Sequence, residues 1–253
     1  MSRASAPCSP AAPRSADARA LSAAQESLYA QIDAIGARVN PRVGCFHDGV
    51  AFPDAYLATK PRIAWVLKNA YDESDADGAP VSDGMDIRDW FCDGALAAAG
   101  KKQLFIKMAL VSHCVQRGVP YRADGARDKA AVMRALQGIA LVDLSKLPGG
   151  KSITDRALKA EAAHFAEVVA AQVALYQPDV LIFGNTLHLC HGLFPDVDYA
   201  HPARVYEAGG DCVLRAFCGT RRLYLEAYHP SYPASYDAYV GTLVQAVRDH
   251  SAQ

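Results

Sequence analysis

Short apolar runs alternate with longer stretches of helical periodicity along this chain. Runs typical of fully buried parallel strands cover 62–67, 139–144, 179–184 and 223–229. Apolar residues at helical spacing predict helices over 21–38, 86–98, 101–117, 127–137, 154–176 and 235–250, and a short one over 185–193. A hairpin is predicted over 204–217. Strands separated by helices favour an α/β fold, here a three-layer sandwich with a central four-stranded parallel sheet.

Length and composition favour one domain. The 253 residues are 51% hydrophobic and 21% charged, enough to bury a large core, and we predict a single domain over 21–253. Residues 1–20 are rich in Ala, Ser, Pro and Arg, which predicts a disordered tail, although a transit peptide has a similar composition. No apolar run approaches the roughly 20 residues that span a bilayer, so no membrane partner is expected.

The cysteines, the histidines and the net charge limit which metal sites and partners we expect. The seven cysteines are scattered and form no CxxC pair, so we expect neither disulfides nor structural zinc, and a reducing cytoplasm fits best. His188 and His191 lie three apart but have no partner pair at ligand spacing, so we expect no metal and no cofactor. A net charge of -1 means that any binding to nucleic acid depends on a local basic surface. We expect a monomer.

Polar side chains follow all four predicted strands. Because the carboxyl ends of parallel strands lie at one edge of a sheet, we expect these side chains to meet in one cleft. Each also has an ordinary structural interpretation as a turn, cap or core residue. The set is Asn69, Tyr71, Asp143, Asn185, His229 and Ser231.

Segments 67–71, 78–81, 143–148, 179–184 and 229–231 have the order and spacing of the motifs of the uracil-DNA glycosylase superfamily, which the sequence resembles from about 62 to 250. His229-Pro230-Ser231 matches its His-Pro-Ser motif, and 67–71 (Leu-Lys-Asn-Ala-Tyr) stands where the family has Gly-x-Asp-Pro-Tyr or Gly-x-Asn-Pro. Residues 78–81 and 143–148 resemble two motifs of the iron-sulfur branch, and 179–184 matches the third strand with its closing glycine. The resemblance implies a glycosylase fold, a flipped base and DNA, single- or double-stranded, as partner. It also implies that Asn69 positions water and that Tyr71 excludes thymine.

The sequence also departs from the family pattern. Leu147 replaces a cysteine that holds the cluster, and the amino-terminal cysteine pair is missing, so no iron-sulfur cluster is expected. Val81 stands where the family stacks a phenylalanine on the base, which leaves Trp90, Phe91 or Tyr71 for that role. Asp143 stands where the family reads uracil with an asparagine.

Asp143 changes the expected base. An ionised carboxylate only accepts hydrogen bonds and would face a uracil oxygen, whereas a protonated one donates to a ring nitrogen and accepts from an exocyclic amine. A mispaired buried contact costs about 1–3 kcal/mol, or one to two decades of selectivity. We therefore predict a modified or cytosine-like base, with Asn185 also in the base pocket. The alternative is that Asp143 caps its loop.

The predicted reaction is hydrolysis of the N-glycosidic bond by a monofunctional DNA glycosylase of base-excision repair. In it His229 donates a hydrogen bond to the departing base and Asn69 orients the attacking water. The candidate DNA contacts are the phosphate clamps Lys146, Lys151, Ser152 and Ser231 and the wedge Tyr232. Two alternatives remain: a binding protein that has lost turnover, and an N-glycosidase acting on free nucleosides or nucleotides.

Overall fold

The computed structural model describes residues 15–70, 84–122, 128–149, 153–190, 192–207 and 213–251. Its α-helices are α1 (Ala16–Val39), α2 (Pro53–Ala58), α3 (Ile87–Phe91), α4 (Asp93–Ala99), α5 (Gln103–Gln116), α6 (Lys129–Arg134), α7 (Asp155–Tyr176) and α8 (Thr242–Ser251). Its strands are β1 (Phe46–His47), β2 (Gly49–Val50), β3 (Ile63–Leu67), β4 (Met85–Asp86), β5 (Ile139–Asp143), β6 (Val180–Gly184), β7 (Arg204–Glu207), β8 (Val213–Cys218) and β9 (Leu223–Ala227). Turns of 3₁₀-helix occupy Ala135–Gly138 and Leu187–Leu189, and a π-helical turn, Asp237–Gly241, leads into α8.

The main sheet is mixed and has seven strands in the order β2-β5-β3-β6-β9-β8-β7. Strands β5, β3, β6 and β9 pair in parallel, while β2 at one edge and β8 and β7 at the other pair antiparallel. Leu67 is paired with Asp143, and Gly184 with Ala227, so these strands end at the same level. The predicted α/β class is confirmed, and antiparallel strands extend the sheet beyond the four that were predicted.

Side chains that alternate along the strands bury both faces of the sheet. Trp65 and Leu67 of β3 join a cluster that includes Met108 of α5 and other residues of α5 and α8. Val66 of the same strand faces the other way, into a cluster that includes Val173 of α7. This alternation follows from the two-residue period of a strand. Helices therefore cover both faces, and the polar groups that follow the strands are left at the edge.

Three local predictions need correction. Helix α1 begins at Ala16 because the Ser15 hydroxyl accepts from the Ala18 amide at 3.1 Å, so a tail reaching residue 20 is too long. The helix predicted over 86–98 is two helices, because Cys92 is extended (φ -66°, ψ 154°) and separates α3 from α4. In place of the helix predicted over 185–193, the described residues of that range contain a single 3₁₀ turn, Leu187–Leu189.

In the described part of the chain, no helix is both long and apolar enough to cross a membrane. The hairpin predicted over 204–217 is present as the antiparallel pair β7 and β8. Its predicted turn at Gly209-Gly210 lies outside the described residues.

Candidate functional site

His229 lies two residues beyond the end of β9, and its own loop fixes its ring. The Ser231 hydroxyl lies 2.7 Å from Nδ1, and the Ser231 backbone N–H donates to the same nitrogen at 3.3 Å. A backbone N–H only donates, so Nδ1 must be an acceptor, and the proton of the neutral ring is on Nε2. His229 therefore presents an N–H donor away from its loop.

The surroundings of His229 also keep the ring neutral. Burial, with the nearby positive charge of Lys68, lowers the pKa of His229 to about 4. Both influences disfavour the imidazolium. At neutral pH the group is a hydrogen-bond donor without a net charge.

Three polar side chains, from the segments that follow β3, β5 and β6, bond to one another in a row. Lys68, directly after β3, places Nζ 3.0 Å from Oδ1 of Asp155, the first residue of α7. The other oxygen of Asp155 lies 3.1 Å from Nε2 of His188, which follows β6. These two hydrogen bonds lower the pKa of Asp155, so its carboxylate holds Lys68 beside His229.

Close backbone packing brings the ends of β3, β6 and β9 together. A Cβ added to Gly184 at the end of β6 would lie 2.6 Å from Cδ2 of Leu67 and 3.1 Å from Cδ of Pro230. A side chain at this position would therefore separate the two loops. Glycine lets the loop that carries Asn69 approach the loop that carries His229.

The two asparagines lie at this edge. Asn69 is half-buried, and its amide packs so tightly on Gly149 that a Cβ there would lie 2.0 Å from Nδ2. Asn185 is exposed and has a left-handed backbone (φ 58°), which lets its N–H donate to the Ala227 carbonyl at 2.7 Å. Asn69 is thus held in place while Asn185 projects from a fixed turn.

Asp143 ends β5 as a buried acid with an unused oxygen. It is 2% exposed, and Oδ1 has no hydrogen-bond partner among the described residues. Burial and the neighbouring Asp48 carboxylate raise the pKa of Asp143 to about 8, against the opposing charge of Lys146. Asp143 is therefore mainly protonated at neutral pH and can donate as well as accept.

The predicted phosphate contact by Lys146 is wrong, because this side chain is fully buried. Its ammonium lies 2.6 Å from Oδ2 of Asp48, 2.7 Å from the carbonyl oxygen of Asp143 and 2.8 Å from Oε1 of Gln172. Asp48 in turn accepts from the Asp143 backbone N–H at 2.5 Å and from Nε2 of Gln172 at 2.7 Å. We call Asp48, Asp143, Lys146 and Gln172 the buried polar cluster.

The aromatic candidates differ in access. Phe91 is 1% exposed and packs edge-on against Phe105, so the expectation that it stacks on a base is also wrong. Trp90 is half-buried and stacks on Phe46 at 4.7 Å, with part of the indole accessible. Tyr232 is half-buried and stacks on Tyr228 at 4.4 Å. Of these three side chains, Trp90 and Tyr232 remain able to contact a ligand.

Four of the predicted site residues, Tyr71, Val81, Lys151 and Ser152, lie outside the described residues. Ser231 is exposed, but its hydroxyl bonds to His229, so in this conformation it orients the imidazole.

A cavity of about 870 Å³ lies elsewhere, among α4, α5 and α6, and none of the described site candidates lines it. Within the described ranges, no three His, Cys, Asp or Glu side chains are placed to hold a metal ion.

The sequence matches no protein-family model, and comparison with curated proteins gives no match either. The resemblance to the uracil-DNA glycosylase superfamily therefore stays a prediction from the sequence motifs.

Sequence reasoning missed Lys68 and Asp155 and considered His188 only as a metal ligand. The available signal was positional: Lys68 directly precedes Asn69, and Asp155 opens the helix that follows the β5 loop. The partners Lys68 and Asp155 are 87 positions apart, so no local pattern pairs them.

Proposed function

We propose that this protein is a DNA N-glycosylase with a uracil-DNA glycosylase-like fold, in which β5, β3, β6 and β9 form the central parallel sheet of a three-layer sandwich. The observation that carries the proposal is the ring of His229. Its pKa is lowered to about 4, its ring proton is on Nε2, and it follows β9, close to the loops after β3 and β6. Ligands of parallel α/β sheets bind at this edge.

The chemistry assigned to His229 follows from its protonation. As the bond between sugar and base breaks, negative charge collects on the base, and Nε2–H donates to it. A preorganised donor of this kind is worth about 3 kcal/mol in a water-poor site. The Lys68 ammonium, held by Asp155, adds a positive charge near the same place.

Asn69 is assigned to the attacking water. Its amide cannot take a proton at neutral pH, so it orients the water by hydrogen bonds and does not act as a base. Its packing on Gly149 limits its rotation, which favours one water position. Extrusion of the base from the helix costs a few kcal/mol, which contacts from Trp90 or Tyr232 would offset.

Asp143 supports a base other than plain uracil. As a neutral acid it donates one hydrogen bond and accepts another, which matches the ring nitrogen and exocyclic amine of cytosine-like bases. Asp143 is 2% exposed and its Oδ1 is buried, so a base reaches this oxygen only if the residues that enclose it move.

The test is to incubate the protein with DNA carrying a panel of modified and normal bases, and to cleave any abasic sites with alkali. We expect release of at least one base by the wild type and none by His229→Ala. Asp143→Asn should shift preference toward uracil. If DNA is bound but no panel base is released, the protein is a binding relative and not an enzyme.

One observation favours a second candidate, an N-glycosidase acting on free nucleosides or nucleotides. The burial of Lys146 removes a DNA contact from a chain whose net charge is already -1. Salt distinguishes the candidates, because each phosphate contact makes DNA binding fall steeply with ionic strength. Turnover of a neutral nucleoside should hardly change between about 50 and 200 mM salt, whereas the affinity for DNA should fall steeply over about the same range.

A further inference from the structure

One lysine is buried inside the apolar helix α5. Lys107 is fully buried, and its helix neighbours Met108 and Val111 belong to the core. Its Nζ lies 2.6 Å from the carbonyl oxygen of Tyr232 and 3.0 Å from that of Ala234. Removing an ammonium from water is costly, so groups that satisfy it must be held close by.

Both carbonyls belong to the loop 229–234, which we call the His229 loop. Within it the Tyr232 N–H donates to the His229 carbonyl at 2.8 Å, and the Ala234 N–H donates to the Tyr232 carbonyl at 2.9 Å. The Tyr232 carbonyl thus receives both a loop amide and the ammonium of Lys107. The ammonium of Lys107 therefore fixes the His229 loop at Tyr232, the middle of its turn.

A tyrosine beside the lysine supports the start of the same loop. The ammonium of Lys107 lies 4.7 Å from the centroid of the Tyr239 ring, a cation–π distance. The Tyr239 hydroxyl donates to the carbonyl of Tyr228, directly before His229, at 2.8 Å. Lysine and tyrosine together hold the backbone on both sides of His229.

We infer that Lys107 is a positioning residue, which fixes the His229 loop from inside the core and so sets where the His229 imidazole points. The chain of contacts runs from the ammonium to the Tyr232 carbonyl, and from the Tyr232 amide to the His229 carbonyl. This inference rests on the proposed function only in giving the imidazole a reaction to serve. The anchoring itself can be measured without turnover.

The test compares Lys107→Met, which removes the charge at similar length, with Val173→Ala. The control changes a buried side chain on the opposite face of the sheet. In Lys107→Met we expect the amides of Tyr232 and Ala234 to exchange hydrogen about 10-fold faster or more, because the loop opens locally. We expect kcat for base release to fall by about 100-fold, because displacing a catalytic group by about 1 Å costs roughly that much in rate. KM should change by less than about threefold, since binding of the substrate does not depend on this loop alone. Val173→Ala should leave loop exchange and kcat near wild type.

Each outcome has a distinct meaning. Unchanged exchange at Tyr232 and Ala234 in Lys107→Met overturns the inference, and so does faster exchange with unchanged kcat. If the wild type releases no base but the variant's loop exchanges faster, the proposed function fails and the anchoring stands. If Lys107→Met does not fold, exchange at the amides of Tyr232 and Ala234 is measured in Lys107→Gln, which loses the charge and keeps a shorter N–H donor. Faster exchange supports the inference, and unchanged exchange overturns it.

Discussion

Replacing Lys146 by Met tests the buried polar cluster most directly. The substitution removes an ammonium that makes three hydrogen bonds of 2.6–2.8 Å. It leaves Asp48 fully buried with donors from Gln172 and the Asp143 backbone but no positive charge. Breaking a buried ion pair from one side costs about 3–5 kcal/mol, since the remaining charge is uncompensated.

The assay is urea unfolding followed by circular dichroism. For a slope of about 2 kcal/mol per molar urea, a loss of this size lowers the midpoint by roughly 1.5–2.5 M. The matched control is Lys159→Met on the exposed face of α7, which should stay within about 0.5 kcal/mol of wild type. The double variant Lys146→Met/Asp48→Asn should recover part of the loss, because it also removes the stranded carboxylate.

The same variant separates a structural lysine from a DNA-binding one. An ammonium enclosed in the protein releases no counterions from DNA, so the slope of log affinity against log salt should be the same in folded Lys146→Met as in wild type. Either of two results would refute the reasoning: a midpoint equal to that of Lys159→Met, or a salt slope reduced by about 1 in the folded variant.

Three further predictions concern pH and capping. Asp143 keeps its proton in the fold up to about pH 8 but loses it near 3.8 when unfolded, so stability should fall as pH rises through that window; Asp143→Asn should flatten this fall in urea titrations at pH 5 and pH 8. Lys68→Met should raise the pKa of His229 from about 4 toward its ordinary 6.5, and an unchanged imidazole titration by NMR would contradict the assigned influence of Lys68. Thr154→Ala should cost about 1 kcal/mol in thermal unfolding, because the threonine hydroxyl accepts from the Ala157 amide at 3.2 Å, whereas Thr154→Ser should retain most of that stability.

The strands of the central sheet were predictable because each is an apolar run bounded by proline, glycine or charge. Strands β3, β5, β6 and β9 end within two residues of the predicted positions. The placement of Asn69 and His229 at one edge follows from that parallel order. By contrast, β2 is only two residues long, too short for any periodicity to mark it.

The two buried lysines were not predictable in the same way. Lys146 lies in a loop of glycine, proline and polar residues, which has the composition of a solvated surface. Its burial follows from Asp48, 98 positions earlier in the chain. Lys107 likewise bonds to carbonyls 125 and 127 positions later. Sequence periodicity carries no information about such distant partners.

Lys146 is fully buried, but under the proposed function its contacts would help to position the residue that reads the base. Its ammonium holds the carbonyl of Asp143, and Asp48, which it neutralises, holds the N–H of the same residue. The peptide groups on both sides of the Asp143 Cα are therefore fixed, and so is the direction in which the carboxyl leaves the strand. Lys107 likewise fixes the backbone of the loop that carries His229. A group fixed before the substrate arrives need not reorganise during the reaction, which is the main source of electrostatic catalysis. If the proposed reaction is right, variants of either lysine that still fold should lower kcat more than they weaken binding.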